Sequence, residues 1–441
     1  MKKGIEIKGA NIWAKGKKKG HVQFNDLRKD ISPYQFMLGF PQDQQEEMLE
    51  KQLADFGMKV ERSTELISFT QSENGIRAQL RLPSGEKEFC EAKYLAGCDG
   101  ARSLVREQLG VGFPGGTYEE TFYVADIKAT GLFVPGEVNI ALDTADFLAI
   151  FPLKGINAAR LVGTIKEEAT NKEQLQWKDV SEGVIKRLKL EIEELNWFST
   201  YRVHHRVASH FRDRNVFLLG DAAHIHSPVG GQGMNTGIGD AVNLAWKMGK
   251  VIKGNAPIAI LDTFEQERIP FANQLVATTD RAFEFVNAKG RFAKFIRLNI
   301  VPYLVPWLFS FVAARRFLFR TISQLGIHYR HSDLNVSSKD KITGGDRLPW
   351  LKFESDKTDN FASLTSLDWQ VHIYGTPSLP IQEFCKNKSI KLNVFPWNRG
   401  SEKAGLKKNS IYMIRPDGHI GTIGGEDNIE KIDAYCKKWR I

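Results

Sequence analysis

Two stretches of the chain place an aspartate beside a glycine where a short apolar run ends. The first is Cys98-Asp99-Gly100-Ala101-Arg102-Ser103-Leu104-Val105-Arg106. The second is Gly220-Asp221-Ala222-Ala223-His224-Ile225-His226-Ser227-Pro228, continuing through Gly230, Gly231, Gln232, Gly233, Met234 and Asn235 to Gly237. At the carboxyl end of a strand in an open α/β sheet, a carboxylate faces the crevice where ligands bind. There it can accept charge-assisted hydrogen bonds from the hydroxyls of a sugar or sugar-alcohol chain. Glycines 230, 231 and 233 carry no Cβ, so their backbone N–H groups can approach a flat ligand closely. A helix expected to begin near Asn235 or Thr236 aims its positive end at the same place, worth ~0.3–1 kcal/mol to an anion. A ligand whose reduced form is anionic gains from that arrangement, and a reduced flavin is such a ligand.

Several elements must position these residues. Val216-Phe217-Leu218-Leu219 reads as a buried strand, and Tyr94 to Cys98, apolar throughout, as a strand buried on both faces. Ile238, Ala241, Ala245, Met248 and Ile252 recur at helical spacing and predict an amphipathic helix over 238–252 with that stripe inward. Met48, Leu49, Leu53 and Phe56 predict another helix, stopped by Gly57. Residues 4–40 and 117–165 alternate as strands do, and helical spacing returns at 262–288 and 294–325. The uncharged stretch from Leu298 to Ala314 falls short of the ~20 residues that span a bilayer. It reads as a buried helix pair broken at Pro302 and Pro306, so membrane contact is not expected. After Gly344-Gly345 the order strand, helix, strand, strand, strand, helix suggests a compact βαβ-β-β-α module.

With 441 residues, 42% hydrophobic and 26% charged, the chain has the composition of a folded globular protein rather than a disordered or fibrous one. The net charge of +9 is thin over that length, and the run Lys15-Gly16-Lys17-Lys18-Lys19 reads as a solvated hairpin turn, not a nucleic-acid footprint. Cys90, Cys98, Cys385 and Cys436 form no C-x-x-C; they read as core fillers in a reducing cytoplasm. His224 and His226 lack a third ligand at useful spacing, so no metal site is expected. His204-His205-Arg206 could contact substrate or merely cover the sheet.

Gly-Asp-Ala-Ala-His, Pro-x-Gly-Gly-Gln-Gly-Met-Asn and Asp240-Ala-x-Asn243-Leu-Ala-Trp246-Lys, together with the earlier Asp99-Gly100, closely resemble the fingerprints of the FAD-dependent aromatic hydroxylases. These are the p-hydroxybenzoate hydroxylase-like group A flavoprotein monooxygenases, here the larger type acting on phenols, hydroxyphenylpropionate and aromatic polyketides. The resemblance implies an α/β (α+β) chain with that FAD-binding fold, N-terminally truncated, a β-sheet substrate domain and a C-terminal thioredoxin-like domain. The implied division is 1–41 and 113–205 for the substrate sheet, 42–112 and 206–290 for the FAD-binding part. A helical segment over 291–344 and the thioredoxin-like module over 345–441 follow. It further implies FAD as cofactor, NAD(P)H as co-substrate, and hydroxylation of a phenolic or polycyclic aromatic substrate by O2 through a C4a-hydroperoxyflavin.

By the same resemblance Asp221 binds the ribityl and pyrophosphate region, and Pro228 lies against the isoalloxazine. The backbone N–H groups of Met234 and Asn235 meet the pyrimidine edge, beside Gly231 and Gly233. Gln42 lies on the ribityl chain, and Asp99 serves FAD ribose and NAD(P)H contacts. Arg106 holds its segment or approaches the nucleotide phosphates. No catalytic residue is identified.

Two departures stand out. The family's opening strand, G-x-G-x-x-G turn and helix are not found in this sequence, which leads to the expectation of a fragment or misplaced start. The alternative is a truncated remnant that holds no FAD and catalyses nothing. In the C-terminal module Tyr374-Gly-Thr-Pro-Ser-Leu-Pro380 stands where a thioredoxin carries C-x-x-C. The module is therefore implied to be structural or to mediate self-association, as in a homodimer.

Overall fold

The protein is described by a computed structural model over residues 4–24, 31–34, 36–73, 75–142, 147–169, 172, 174–227, 231–287, 290–353, 358–425 and 428–441. Two long antiparallel strands, Gly115–Thr130 and Glu191–Val207, form the frame of its largest sheet. Outward from Gly115–Thr130 run Ala158–Thr164, Phe147–Pro152, Val138–Leu142, Gly9–Ala14 and Lys17–Gln23. Tyr123, Ala125, Ile127 and Ala129 alternate onto one face and are buried with Leu148, Ile150 and Leu161, as the two-residue period of a half-buried strand requires. The hairpin between Gly9–Ala14 and Lys17–Gln23 turns on Lys15 and Gly16 alone, at φ 52° and 72°. That is the positive-φ pair of a two-residue hairpin turn. Lys17, Lys18 and Lys19 therefore open the return strand rather than lying in the turn.

At the other edge of this sheet His224–Ile225 pairs with Arg206 and Val207, joining the sheet directly to the second aspartate motif. The motifs themselves grow from a small sheet in the order Arg212–Asp213, Val216–Leu218, Leu95–Gly97. Val216, Phe217 and Leu218 are buried as expected. Leu95–Gly97 is instead an edge strand with Ala96 exposed, because no further strand pairs with its outer side among the described residues. Beside it lies a three-stranded antiparallel sheet, Glu65–Ser72, Gly75–Arg81 and Lys87–Ala92. The last strand is wholly exposed, so it carries no apolar alternation for sequence reading to find.

The helices depart from expectation in which face they bury. Helix Gln42–Asp55 forms where predicted, but Met48, Leu49 and, just after it, Phe56 are exposed. Helix Gly233–Ile252 buries Thr236, Asp240, Asn243, Leu244, Trp246 and Lys247, while Ile238, Ala241, Ala245 and Ile252 of the predicted stripe face outward. The partners of its buried charges, described below, explain the reversal. Helix Asp262–Asn287 packs beside it.

The 291–322 segment also differs. Its helices Val301–Leu308 and Val312–Ile322 break at residues 309–311, with a bend of 97°, and not at Pro302 or Pro306. Proline at the first turn of a helix has no N–H to lose, so Pro302 is accommodated there. Nor is the pair buried: Trp307 is 58% and Phe317 73% exposed. Among the described residues no single helix is long and apolar enough to cross a membrane.

The C-terminal module runs strand, helix, strand, helix, strand, strand, helix from Gln370 to Trp439. Its sheet order is Lys391–Phe395, Gln370–Tyr374, Ile411–Ile414, Ile420–Gly424, with the first pair parallel and the others antiparallel. This is the thioredoxin-like arrangement, with one short helix, Arg399–Ala404, that the sequence pattern did not reveal. Val371, Ile373 and Met413 share a continuous core with Phe217, Leu244 and Phe264, and Trp369 meets Trp246 edge to face at 5.8 Å. Cys385 and Cys436 are core residues here, but Cys90 and Cys98 are exposed, so the filler reading holds for only two of the four.

Candidate flavin site

The strands Leu95–Gly97 and Val216–Leu218 are parallel, so Asp99 and Asp221 follow the same end of the small sheet. Gly220, at φ 56°, turns the chain out of its strand in a conformation that L side chains resist. The start of helix Gly233–Ile252 sits against that turn: a Cβ on Gly237 would stand 3.4 Å from the Gly220 Cα.

A buried carboxylate fixes this junction. Asp240 accepts from the Gly220 N–H at 3.0 Å, from Arg268 Nε at 2.6 Å, and pairs with His224 Nε2 at 2.7 Å. Arg268 also donates to the Tyr329 hydroxyl at 3.0 Å and to the Thr236 carbonyl at 3.2 Å. Burial works to raise the Asp240 pKa, but Arg268 and His224 outweigh it and hold the carboxyl below its ordinary range.

The helix begins at Gly233, two residues earlier than expected, with Gln232 as its cap. The N–H groups of Gly233, Met234 and Asn235 consequently form its first turn, and none has an acceptor among the described residues. Met234 and Asn235 are exposed. Gly231, at φ 61°, faces open space: a Cβ there would meet nothing within 4 Å.

His226 stands next to these amides, its Nε2 3.7 Å from the place a Cβ on Gly233 would take. Its Nδ1 lies 2.7 Å from the Ser227 carbonyl oxygen, which can only accept, so Nδ1 carries the proton. Nε2 is then a buried lone pair without a partner among the described residues. Burial pushes the imidazole pKa down, keeping it neutral.

Of the residues predicted from sequence, Asp221 is exposed and makes no hydrogen bond among the described residues. Asp99 is exposed, yet its carboxylate accepts from the Val105 N–H at 3.0 Å and so caps the short helix Leu104–Gln108. Arg106, in that helix, is buried. Its Nη1 donates to the Ala222 carbonyl at 2.9 Å, its Nη2 to the Ala101 carbonyl at 2.8 Å, and it stacks on Phe113 at 3.9 Å. Of the two roles offered for Arg106, this geometry fits the one that holds the segment. Gln42 stands apart: it is exposed and meets only Glu46 of its own helix, at 3.4 Å. Pro228 lies outside the described residues. Sequence reading assigned no role to His226, Asp240 or Arg268, although Asp240 falls inside a quoted motif.

A second buried charge cluster ties the site to the C-terminal module. Glu267 pairs with Lys247 at 2.7 Å and accepts two bonds from Arg415, at 2.7 and 2.9 Å. Arg415 pairs in turn with Asp417, which also accepts from Trp246 Nε1 at 3.1 Å. Ser332 Oγ and Asn243 Nδ2 complete the shell of Glu267 at 2.8 and 2.7 Å. Buried ions need such partners, and these supply the reason the helix turns Asn243 and Lys247 inward.

The family described as FAD binding domain matches residues 5–279. The chain is 33% identical over 429 residues to pentachlorophenol 4-monooxygenase of Sphingobium chlorophenolicum, covering 92% of this chain and 73% of that protein. The chain belongs to the flavin-dependent aromatic monooxygenases. A flavin-dependent monooxygenase of Mycobacteroides abscessus is 30% identical over 404 residues, covering 89% and 76% of the two chains. An anhydrotetracycline hydroxylase from Streptomyces rimosus superposes with a TM-score of 0.77 at 25% identity, covering 98% of this chain and 85% of its own. As a member of this family the chain is an FAD-dependent monooxygenase. Its own residues fit the cofactor in three ways: amides at 233–235 with no acceptor among the described residues, open space at Gly231, and the His226 Nε2, also without a partner among them.

Proposed function

We propose that this monooxygenase hydroxylates a phenolic or polycyclic aromatic ring, with NAD(P)H as reductant and O2 as oxidant. The balance is one ring C–H, O2, NAD(P)H and a proton giving one phenolic C–OH, water and NAD(P)+. FAD, when bound, would supply the two-electron redox chemistry and the activation of O2.

The observation that carries the reading is the group of amides at Gly233, Met234 and Asn235 and the exposed carboxylate of Asp221, none of them hydrogen-bonded among the described residues. Asp221 accepts from ribityl hydroxyls, and the amides of Met234 and Asn235 hold the pyrimidine edge. The positive end of helix Gly233–Ile252 favours negative charge there. The lone pair of His226 Nε2 offers an acceptor to a donor brought by ligand or substrate. The relatives' names support the substrate class: pentachlorophenol for one and anhydrotetracycline for another.

Purified protein is expected to show the visible absorbance of bound flavin and NAD(P)H oxidation stimulated by a phenol, with hydroxylated product by mass spectrometry. Protein that takes up no FAD from solution and oxidises no NAD(P)H would favour the remnant reading instead.

A further inference from the structure

A cavity of about 1180 Å3 lies between helix Val312–Ile322, the 325–353 segment and the C-terminal module. Among the described residues it is lined by eight Lys and Arg side chains and a single carboxylate, Asp346. That carboxylate is already engaged, bound through both oxygens by Arg330 at 2.6 and 3.0 Å. Arg316, Arg320, Arg347, Arg399 and Lys403 make no salt bridge among the described residues. Arg316 and Arg320 stand four apart on one helix, a like-charge spacing that costs stability unless an anion sits between them. Guanidinium groups also match phosphate oxygens in fork geometry, where a lysine is only a point charge.

The rest of the wall is apolar and aromatic, with Trp350 and Phe361. Trp350 is only 8% exposed, and its indole N–H, a donor with no accepting capacity, has no acceptor among the described residues. The cavity exceeds the roughly 300–1,000 Å3 typical of drug-sized ligands, so a single inorganic anion would leave most of it empty. Unpaired cations, one unpaired donor and a flat apolar wall describe a ligand with several phosphate oxygens joined to an aromatic ring.

We propose that this cavity is a binding site for a nucleoside diphosphate, as carried by the ADP half of a dinucleotide. The bound diphosphate bridges Arg316 and Arg320 on one side to Arg399 and Lys403 on the other, and the base lies along Trp350 and Phe361. Such a site lies outside the amide and carboxylate group assigned above to the flavin. Its wall nevertheless joins that group through Gln324, whose Nε2 donates to the Thr236 hydroxyl at 2.8 Å.

The test is calorimetric titration of ADP into FAD-loaded protein at low salt, with inorganic phosphate as control. Saturable ADP binding is expected, weakened at least tenfold by R316Q/R320Q and by R399Q/K403Q, with the ADP-free melting temperature not lowered, because these side chains make no salt bridge among the described residues and R316Q/R320Q relieves a like-charge pair. W350F, which keeps the packing and removes the donor, is expected to weaken ADP several-fold. Binding beside retained flavin, as the ADP half of a pyridine dinucleotide reductant would bind, upholds the proposal; release of flavin by ADP would place ADP in the flavin's own site and overturn it. No saturable binding, affinity left within twofold by both double variants, or phosphate binding as tightly as ADP would overturn it.

Discussion

Arg106 reaches from the first aspartate motif to the second and donates from Nη1 to the carbonyl oxygen of Ala222 at 2.9 Å. With Nη2 on Ala101 at 2.8 Å, one side chain spans both strand ends. Lysine cannot fork in this way. Arg106→Lys is therefore expected to lower stability by about 1.5–3 kcal/mol, the scale of hydrogen bonds to a charged group, and to loosen FAD in parallel. Urea unfolding and FAD titration measure the two effects. A variant as stable as the parent would mean that strand pairing alone sets the distance between the motifs.

Asp221 has the opposite profile, since it is exposed and unpaired. Asp221→Ala should leave the melting curve of the FAD-free protein within about 0.5 kcal/mol of the parent. The fraction of FAD retained on dialysis should fall, with affinity down roughly tenfold or more if one charge-assisted bond is lost. Unchanged retention would remove Asp221 from the cofactor site.

The Glu267 cluster gives stability a pH signature. Burial opposes the charge on Glu267, but Arg415 and Lys247 prevail and hold its pKa down at about 2, against an ordinary 4.5. A depressed carboxyl contributes stability above its unfolded pKa and loses it as the pH falls from about 4.5 through about 2. Glu267→Gln leaves buried Lys247 without its carboxylate and Arg415 with Asp417 alone, and is expected to cost about 3–5 kcal/mol at neutral pH. Melting temperatures from pH 7 to 2 should show a steeper acid decline for the parent than for the variant.

Lys247 predicts the alkaline side. Burial lowers its pKa from 10.5 to about 8, only partly countered by Glu267. Between those values the unfolded chain binds the proton more often than the folded one, so this group makes stability rise with pH. Lys247→Met should remove that rise from melts recorded between pH 8 and 10.5.

Thiol labelling separates the cysteines. Cys385 and Cys436 are buried, and burial pushes both pKa values up to about 11. Cys90 is expected to react first in native protein, and Cys98 more slowly, since partial burial and Asp99 raise its pKa. The two buried thiols should react only after unfolding. Prompt labelling of Cys385 would show that the module opens in solution.

The sequence was most readable where one physical rule acted alone. The buried strand at 216–218 and the alternating strands at 115–164 followed from apolar period, and the helix N-terminus beyond Gly231 from glycine content ahead of helical spacing. Rules in competition hid the rest. Ile238, Ala241, Ala245 and Ile252 make a convincing stripe, yet the inward face was decided by Asp240 and Lys247, whose partners Arg268, Glu267 and Arg415 lie far along the chain. Apolar spacing carries no record of such distant pairing. The edge position of Leu95–Gly97 was equally hidden, because composition shows what a strand could bury and not what covers it. His226 escaped notice because its role rests on one lone pair, visible only once Ser227 fixes the tautomer.

Greasy contacts are indifferent to direction, and a helix seated on them can swivel a little at small penalty. Helix Gly233–Ile252 has no such latitude. A slip of one residue is a rotation of about 100°, which would tear Asp240 from Arg268 and Lys247 from Glu267 in a single movement. The azimuth of the helix is thereby keyed by charge, and the three amides at its tip keep one heading whether or not anything is there to meet them.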